Sequence, residues 1–229
     1  MVLFKIIEVI KMEKAIKITG AIFDLDGTLL NSMDYWCSAA SIFLKNNGIE
    51  PYAEAGRDFL ENGMAWCHEK WTAELGLRLD FEATKSQIYK IMEGHYHTDV
   101  AVKAGAREML EDLRVHGVKM CLATATDRYI VEDTLCRLGI AEFFDKIFTC
   151  TEVGKGKRYP LIYERALEYL GTDKETTYVF EDAYYALVTA HANGFHTIGI
   201  YDKNVFVPEK ELIPLCDAYL TSYGLRLEK

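Results

Sequence analysis

Ala21-Ile22-Phe23-Asp24-Leu25-Asp26-Gly27-Thr28-Leu29-Leu30 is the stretch on which the reading of this chain turns. An apolar run delivers two carboxylates, and Gly27 then lets the backbone leave the strand sharply. In open α/β sheets, ligands bind outside the C-terminal ends of the strands. Two acids this close cannot share one environment, and divergent pKa values allow one nucleophile and one proton carrier. They are also hard oxygen ligands suited to Mg²⁺. A calcium loop fits poorly, because Thr28 and Leu29 occupy positions where it wants an acid and a glycine. A strand-closing Asx turn is the blandest alternative.

Working outward, further short apolar runs predict strands at Ile18–Asp24, Val118–Thr124, Lys146–Thr149, Thr177–Glu181, His196–Ile200 and Ala218–Thr221. Several are apolar on successive residues, the pattern of strands covered on both faces. Helical stripes lie between them. Ala106, Met109, Leu110 and Leu113 share one face; Ile130, Thr134 and Leu138 share another. Leu161, Ala166, Leu167 and Leu170 form a third, stopped by Gly171. Strand and helix in alternation predict the α/β class, a Rossmann-like parallel sheet with helices on both faces.

One interval breaks the rhythm. About 100 residues separate Asp24 from Thr124, whereas a strand–helix–strand unit needs about 30. The excess reads as helix over Tyr35–Asn47, Tyr52–Leu75 and Phe81–Thr98, punctuated by Gly48, Pro51, Gly76 and Asp80. It predicts an inserted helical cap domain over 32–102, with 1–31 and 103–229 forming the core.

Composition narrows the function. The 229 residues are 50% apolar and carry a net charge of −9, which argues against disorder and against a general nucleic-acid binder. No run of 18 apolar residues exists to span a membrane. The opening MVLFKIIEVIKMEK is not read as a signal peptide, since Lys5 and Glu8 interrupt its apolar stretch and no small-residue cleavage site follows. Met12 is a second candidate start, and the first eleven residues are expected to be a dispensable surface extension. The six cysteines are scattered without a zinc spacing, so a reducing, cytoplasmic setting is expected.

Three more motifs carry chemistry. In Met120-Cys-Leu-Ala-Thr124-Ala125-Thr126-Asp127 a strand ends in a hydroxyl just before a helix, where Thr124 and nearby N–H groups can hold a phosphate oxygen. An ordinary N-cap is the competing account. Gly154-Lys155-Gly156-Lys157-Arg158-Tyr159-Pro160 puts three cations within four residues, either a solvated loop or the local cation that an anionic ligand needs. It lacks the Walker spacing. Tyr178-Val-Phe-Glu181-Asp182-Ala183 again ends a strand in acids, which could be metal ligands or caps of the next helix.

Together these motifs resemble the haloacid dehalogenase superfamily, in its branch with a helical cap inserted after the first strand. Asp24 through Ser32 is similar to its hallmark DxDGTL[LV]xS. The resemblance covers nearly the whole chain from about Ile16 to Thr221. It implies phosphoryl transfer, because dehalogenases lack the second Asp and phosphonatases usually have Ala there. By this resemblance Asp24 attacks phosphorus, Asp26 is general acid and then base, and Thr124 and Lys157 bind phosphate. Mg²⁺ is held by Asp24, the Asp26 carbonyl and Asp182, with Glu181 assisting. Gly27, Thr28 and Ala125 line the substrate. Trp36, Gly63 and Trp66 are candidate cap contacts, although packing of the cap's own core is the favoured reading of Trp36, Trp66 and Trp71. Thr126 and Asp127 are caps, Thr126 being near the substrate in one reading, and His95 and His97 are hinge-side surface residues.

The chain departs from the family pattern at Arg158 for Pro, Leu161 for Asp, Ala183 for Ser and Ala186 for Gly, and Lys155 competes with Lys157 for the lysine role. The expectation is a Mg²⁺-dependent phosphatase acting on a small phosphorylated metabolite, a monomer or weak dimer. A phosphomutase similar to β-phosphoglucomutase is the alternative within the chemistry, disfavoured because no His follows the first motif and no Arg stands near Gly63. A catalytically retired ligand sensor is the non-enzyme alternative.

Overall fold

The computed structural model describes Val9–Lys11 and residues 17–223. Seven strands form one sheet: β1 (Val9–Lys11), β2 (Gly20–Phe23), β3 (Lys119–Thr124), β4 (Lys146–Thr149), β5 (Thr177–Glu181), β6 (His196–Ile200) and β7 (Ala218–Leu220). Their order is β1-β7-β6-β5-β2-β3-β4. Every neighbouring pair from β7 to β4 is parallel, and β1 pairs antiparallel with β7 at the edge. The expected surface extension is corrected to that extent, since Val9–Lys11 belongs to the sheet. The rest of that expectation, over residues 1–8, lies outside the described residues.

β2 lies inside the sheet between β5 and β3 and all four of its residues are buried, as are all five of β5. Cover on both faces is why these strands read as unbroken apolar runs. On one face Ile22, Cys121, Ala123 and Val179 pack against α8 (Leu161–Leu170) through Ile162, Ala166 and Leu170. Phe23 stacks on Phe180 with ring centroids 4.2 Å apart and meets Phe144 edge-on. The core unit's other helices are α5 (Ala106–Val115), α6 (Arg128–Leu138), α7 (Cys150–Val153), α9 (Tyr184–Ala192) and α10 (Glu209–Leu212). The stripe predicted on α5 is buried at all four positions. On α8 the buried face is Ile162, Tyr163, Ala166 and Leu170, rotated from the predicted one, so Leu161 and Leu167 are only half-buried.

The chain divides into two compact units, Met1–Asn31 with Ala101–Lys229, and Ser32–Val100. The insertion ends two residues earlier than expected. Ala101 accepts a backbone hydrogen bond from Asn31 at 2.9 Å and Val102 bridges to Leu30, so both belong to the sheet unit.

The second unit is helical: α1 (Met33–Asn46), α2 (Ala55–Asn62), α3 (Met64–Leu75) and α4 (Phe81–Thr98). The single helix predicted over Tyr52–Leu75 is two, because Gly63 adopts φ +84° and ψ 170° and turns the chain between them. Trp71 is fully buried, stacked on Phe43 and Phe59. Trp36 packs on Phe59 and donates its indole N–H to the Tyr96 hydroxyl at 2.9 Å. These two indoles build the unit's own core, whereas Trp66 is 42% exposed with Lys70 over its ring. His95 is half-buried, stacked on Tyr35 and paired through Nδ1 with Asp99 at 2.8 Å; His97 is exposed. No helix among the described residues is long and apolar enough to cross a membrane.

Candidate active site

Parallel register brings the motifs to one edge of the sheet. Phe23 pairs with Leu122 on one side and Phe180 on the other, so Asp24, Thr124, Glu181 and Asp182 emerge together at the C-terminal ends of three adjacent strands. The Asp24 amide donates to the Phe180 carbonyl at 2.9 Å, which fixes the first residue beyond β2. Gly27, at φ +83°, then allows a tight turn in which the Leu29 and Leu30 amides both donate to the Leu25 carbonyl. The turn aims Asp24 and Asp26 in different directions.

Asp24, Glu181 and Asp182 each place a carboxylate oxygen within 4.8 Å of the others, and all three are buried. Lys157, 4% exposed, donates from Nζ to Asp24 Oδ1 and to Glu181 Oε1, the latter at 2.5 Å. Lys155 is exposed, its ammonium 5.0 Å from the centroid of the Tyr159 ring. The geometry therefore separates the two lysines that sequence left in competition: only Lys157 enters the cluster.

Glu181 caps the backbone that leads into the next helix and also meets the lysine. Its Oε1 accepts from Lys157 and from the Tyr163 hydroxyl at 3.2 Å, while Oε2 accepts from the Asp182 and Ala183 amides at 3.1 and 3.2 Å. It thus satisfies backbone donors at the entry to α9 and anchors the lysine. Asp182 Oδ1 accepts from the Thr28 hydroxyl at 3.0 Å, and the Tyr223 hydroxyl donates to the Thr28 carbonyl.

Asp26 points elsewhere, half-buried, with Oδ2 accepting from the Thr126 hydroxyl at 2.6 Å. Its carboxylate stands outside the three-acid cluster, which leaves its main-chain carbonyl as the group expected near a metal. Thr124 is fully buried and its Oγ1 accepts from the Thr126 amide at 3.1 Å. Ala125 is exposed between them. Asp127 occupies the N-cap position of α6 without a side-chain cap bond and instead accepts from Thr151 at 2.6 Å. The expected cap role of Thr126 is likewise replaced by its bond to Asp26.

The electrostatics follow from three buried acids around one ammonium. Burial pushes the Asp24 carboxyl up to about 7; Lys157 opposes that shift, and Glu181 and Asp26 add to it. Burial, with repulsion from Asp24 and Glu181, holds Asp182 well above the usual carboxylate range. Lys157 is pulled down by burial, but Asp24 and Glu181 outweigh this and hold it well above its ordinary value. A compact divalent cation suits such an excess of hard, crowded oxygens.

Tyr163, Tyr185 and Tyr223 were not singled out from sequence. Tyr163 had a readable signal, since Tyr163, Ala166 and Leu170 follow helical i, i+3, i+7 spacing. Tyr223 comes from the far end of the chain and had none.

An α/β unit with acids at the ends of β2 and β5 and a lysine between them defines a class of hydrolase, and comparison agrees. The sequence profile of haloacid dehalogenase-like hydrolases matches residues 21–200, and the chain belongs to that family. It is 28% identical over 183 residues to the validoxylamine A 7'-phosphate phosphatase of Streptomyces hygroscopicus subsp. limoneus, covering 79% of this chain and 84% of that one. It is 26% identical over 184 residues to a phosphorylated carbohydrates phosphatase of Thermotoga maritima, covering 78% and 83%. Among solved structures, CbbY from Rhodobacter sphaeroides in complex with phosphate superposes with a TM-score of 0.77 at 23% identity, covering 90% and 94%.

Proposed function

We propose that this chain is a Mg²⁺-dependent phosphatase that hydrolyses a small phosphorylated metabolite through an aspartyl-phosphate on Asp24. The observation that carries the reading is the division of labour between two nearby acids: Asp24 is buried against Lys157, and Asp26 is turned away onto Thr126. That is the separation a nucleophile and a proton carrier need.

Asp24, Asp182 and the Asp26 carbonyl would hold the metal, with Glu181 positioning Lys157 beside it. The metal, when bound, offsets the repulsion between the Asp24 carboxylate and an incoming phosphate dianion. Asp24 attacks phosphorus in line, and Asp26 gives a proton to the leaving oxygen. Lys157 and the Thr124 hydroxyl bind phosphate oxygens. Asp26 then takes a proton from water, which attacks the phosphoenzyme and releases inorganic phosphate. Thr126 holds the Asp26 carboxylate in one orientation throughout. Choice of leaving group is assigned to the inserted unit Ser32–Val100, with Gly63 and the exposed Trp66 as its candidate contacts. The commitment of Trp36 to its own unit's packing argues against its use. A cytoplasmic setting is part of this reading, from the scattered spacing of the six cysteines in the sequence.

The test is hydrolysis of p-nitrophenyl phosphate in Mg²⁺ and in EDTA, by the native chain and by Asp24→Asn. Turnover should require Mg²⁺ and vanish in the variant while its circular dichroism spectrum is retained. Full activity of Asp24→Asn would remove the mechanism.

A further inference from the structure

Asp182 is tied, through one intermediate residue, to the far end of the chain. Its Oδ1 accepts the Thr28 hydroxyl at 3.0 Å, and Thr28 is fully buried in the turn that follows Asp26. In that turn the Leu25 and Leu30 carbonyls accept backbone amides, and the Leu29 carbonyl accepts the Lys103 amide at 2.8 Å. The Thr28 carbonyl has a donor of another kind, the hydroxyl of Tyr223. Two hydrogen bonds therefore run from Tyr223 to Thr28 and from Thr28 to Asp182, across 195 and 154 positions of sequence. All three residues belong to the sheet unit.

Tyr223 is seated against a glycine on its other side. Gly105 stands at the N-cap of α5 with φ +81°. A Cβ added there would lie 3.1 Å from the Tyr223 Cβ and 3.2 Å from its carbonyl oxygen. Both the left-handed backbone and the close approach favour glycine. Gly105 comes two residues after Lys103, whose amide already bonds the turn at Leu29. Tyr223 thus has its main chain against Gly105 and its hydroxyl on Thr28.

Carboxylates that ligate a metal are themselves hydrogen-bonded, and those outer partners set their orientation and the metal affinity. The donor that reaches Asp182 sits on a residue whose own main chain must be held still. A phenol titrates near about 10, so its O–H remains a donor through the neutral range.

We propose that Tyr223 is a positioning residue for the metal: its hydroxyl fixes the Thr28 main chain, so that the Thr28 hydroxyl holds Asp182 in place for a divalent cation. The proposal rests on the phosphatase reading above, in which Asp182 is a metal ligand. It gives Tyr223 no contact with the substrate or the reacting atoms.

The probe is Mg²⁺ alone. Its Kd is read without substrate from the rise of the thermal midpoint with added MgCl₂, followed by far-UV circular dichroism at pH 8, above the range in which Asp24 takes up a proton. Tyr223→Phe keeps the ring and removes the hydroxyl, and should raise the Mg²⁺ Kd about 3- to 10-fold, the loss of one neutral hydrogen bond. Thr28→Val, which removes the donor on Asp182 itself, should raise it about 10- to 100-fold. In the Thr28→Val background, Tyr223→Phe should add less than about twofold, because its effect passes through that hydroxyl. Tyr169→Phe loses a bond of the same kind, to the Asp145 carbonyl at 3.2 Å on the exposed surface, and should leave the Kd unchanged. With p-nitrophenyl phosphate, Tyr223→Phe should need about 3- to 10-fold more Mg²⁺ for half-maximal turnover, while kcat and KM in saturating Mg²⁺ stay within about twofold of native.

An unchanged Mg²⁺ Kd in Tyr223→Phe, or an equal rise in Tyr169→Phe, overturns the inference and leaves the phosphatase reading intact. A lower midpoint without Mg²⁺ but an undiminished response to it marks a purely structural role and does the same. A full, additive loss in the Thr28→Val background overturns the route through Thr28. A native chain that neither binds Mg²⁺ nor turns over p-nitrophenyl phosphate removes the phosphatase reading, and this inference with it.

Discussion

Replacing Lys157 by Met keeps the length of the side chain and removes its charge from among three buried carboxylates. The lysine side chain is 3% exposed and pairs with Asp24 and Glu181, whose side chains are 8% and 1% exposed. Breaking a buried pair by removing one partner costs about 3–5 kcal/mol, because the remaining charge is left desolvated and unpaired. With a urea slope of about 3 kcal/mol/M, the midpoint in EDTA should fall by roughly 1–2 M. Far-UV circular dichroism is the appropriate probe, since Trp36, Trp66 and Trp71 all lie in Ser32–Val100 and their emission reports on the other unit.

The sign of the pH dependence is also fixed. Asp24 is already raised to about 7 with Lys157 in place, and Lys157 is the strongest influence holding it down. A carboxyl raised above its unfolded value makes the native state bind more protons than the unfolded one, so stability falls as pH rises through that window. For the native chain without metal the window runs from ~4 to about 7. In Lys157→Met it should reach higher pH, so the deficit against the native chain grows from pH 5 to pH 8. Saturating Mg²⁺ should recover part of the loss, about 2.7 kcal/mol at a hundredfold excess over its Kd. A variant midpoint within about 0.3 M of the native one in EDTA at pH 8 would refute the account of Lys157 as the charge that makes the acidic cluster tolerable.

Thr126→Val removes the 2.6 Å bond to Asp26 without adding volume. Loss of a hydrogen bond to a charged group, about 1.5–3 kcal/mol, should lower kcat roughly 10- to 100-fold with little change in KM, read by steady-state kinetics. Tyr163→Phe should cost about 1 kcal/mol of stability in urea and should weaken Mg²⁺ activation, because Glu181 Oε1 loses one of its two donors. Trp71→Ala, in the helical unit, should cost about 3–5 kcal/mol in thermal unfolding followed by Trp36 and Trp66 emission. Asp58 gives an independent pH signature. Burial would raise its carboxyl, but Lys70 at 2.7 Å and the Tyr52 hydroxyl at 2.8 Å hold it below its ordinary value. Its contribution is present above pH ~4 and lost as pH falls through the native pKa, at most about 1 kcal/mol for so shallow a pair, and Lys70→Met should abolish that slope.

The strands of the sheet's parallel part were legible because burial on both faces writes itself as an apolar run whose end is marked by polar residues. Lys146–Thr149, Thr177–Glu181 and His196–Ile200 need no adjustment. Helix faces were less legible. On α8 the apolar residues Leu161 and Leu167 advertise a stripe, yet Tyr163 is the buried one because its hydroxyl has Glu181 to meet. Periodicity counts apolar residues and is blind to a polar tip with a distant partner. The break at Gly63 was visible as a residue but not as a turn, since glycine inside a helical pattern is tolerated as often as it interrupts. β1 was illegible for a different reason: three residues are too few to show alternation, and pairing with β7 depends on a partner at the far end of the chain.

In the site, the residues by themselves told which types arrive at strand ends, and only the family resemblance told how they divide the work. Asp24 and Asp26 look equivalent as DxD, and Lys155 and Lys157 look equivalent as KGK. The distinction comes from long-range contacts, Thr126 to Asp26 across 100 residues and Lys157 to Asp24 across 133. The same holds for the charge. A net −9 would suggest a surface that repels phosphate, but acids at positions 24, 181 and 182 are folded inward around one ammonium. Their mutual repulsion then favours a divalent cation at the place where an anion must be bound. On the proposed phosphatase reading the acidity is part of the anion site's construction, and the residue that carries most of the balance is Lys157. That is why its removal should be felt in stability before any substrate is present.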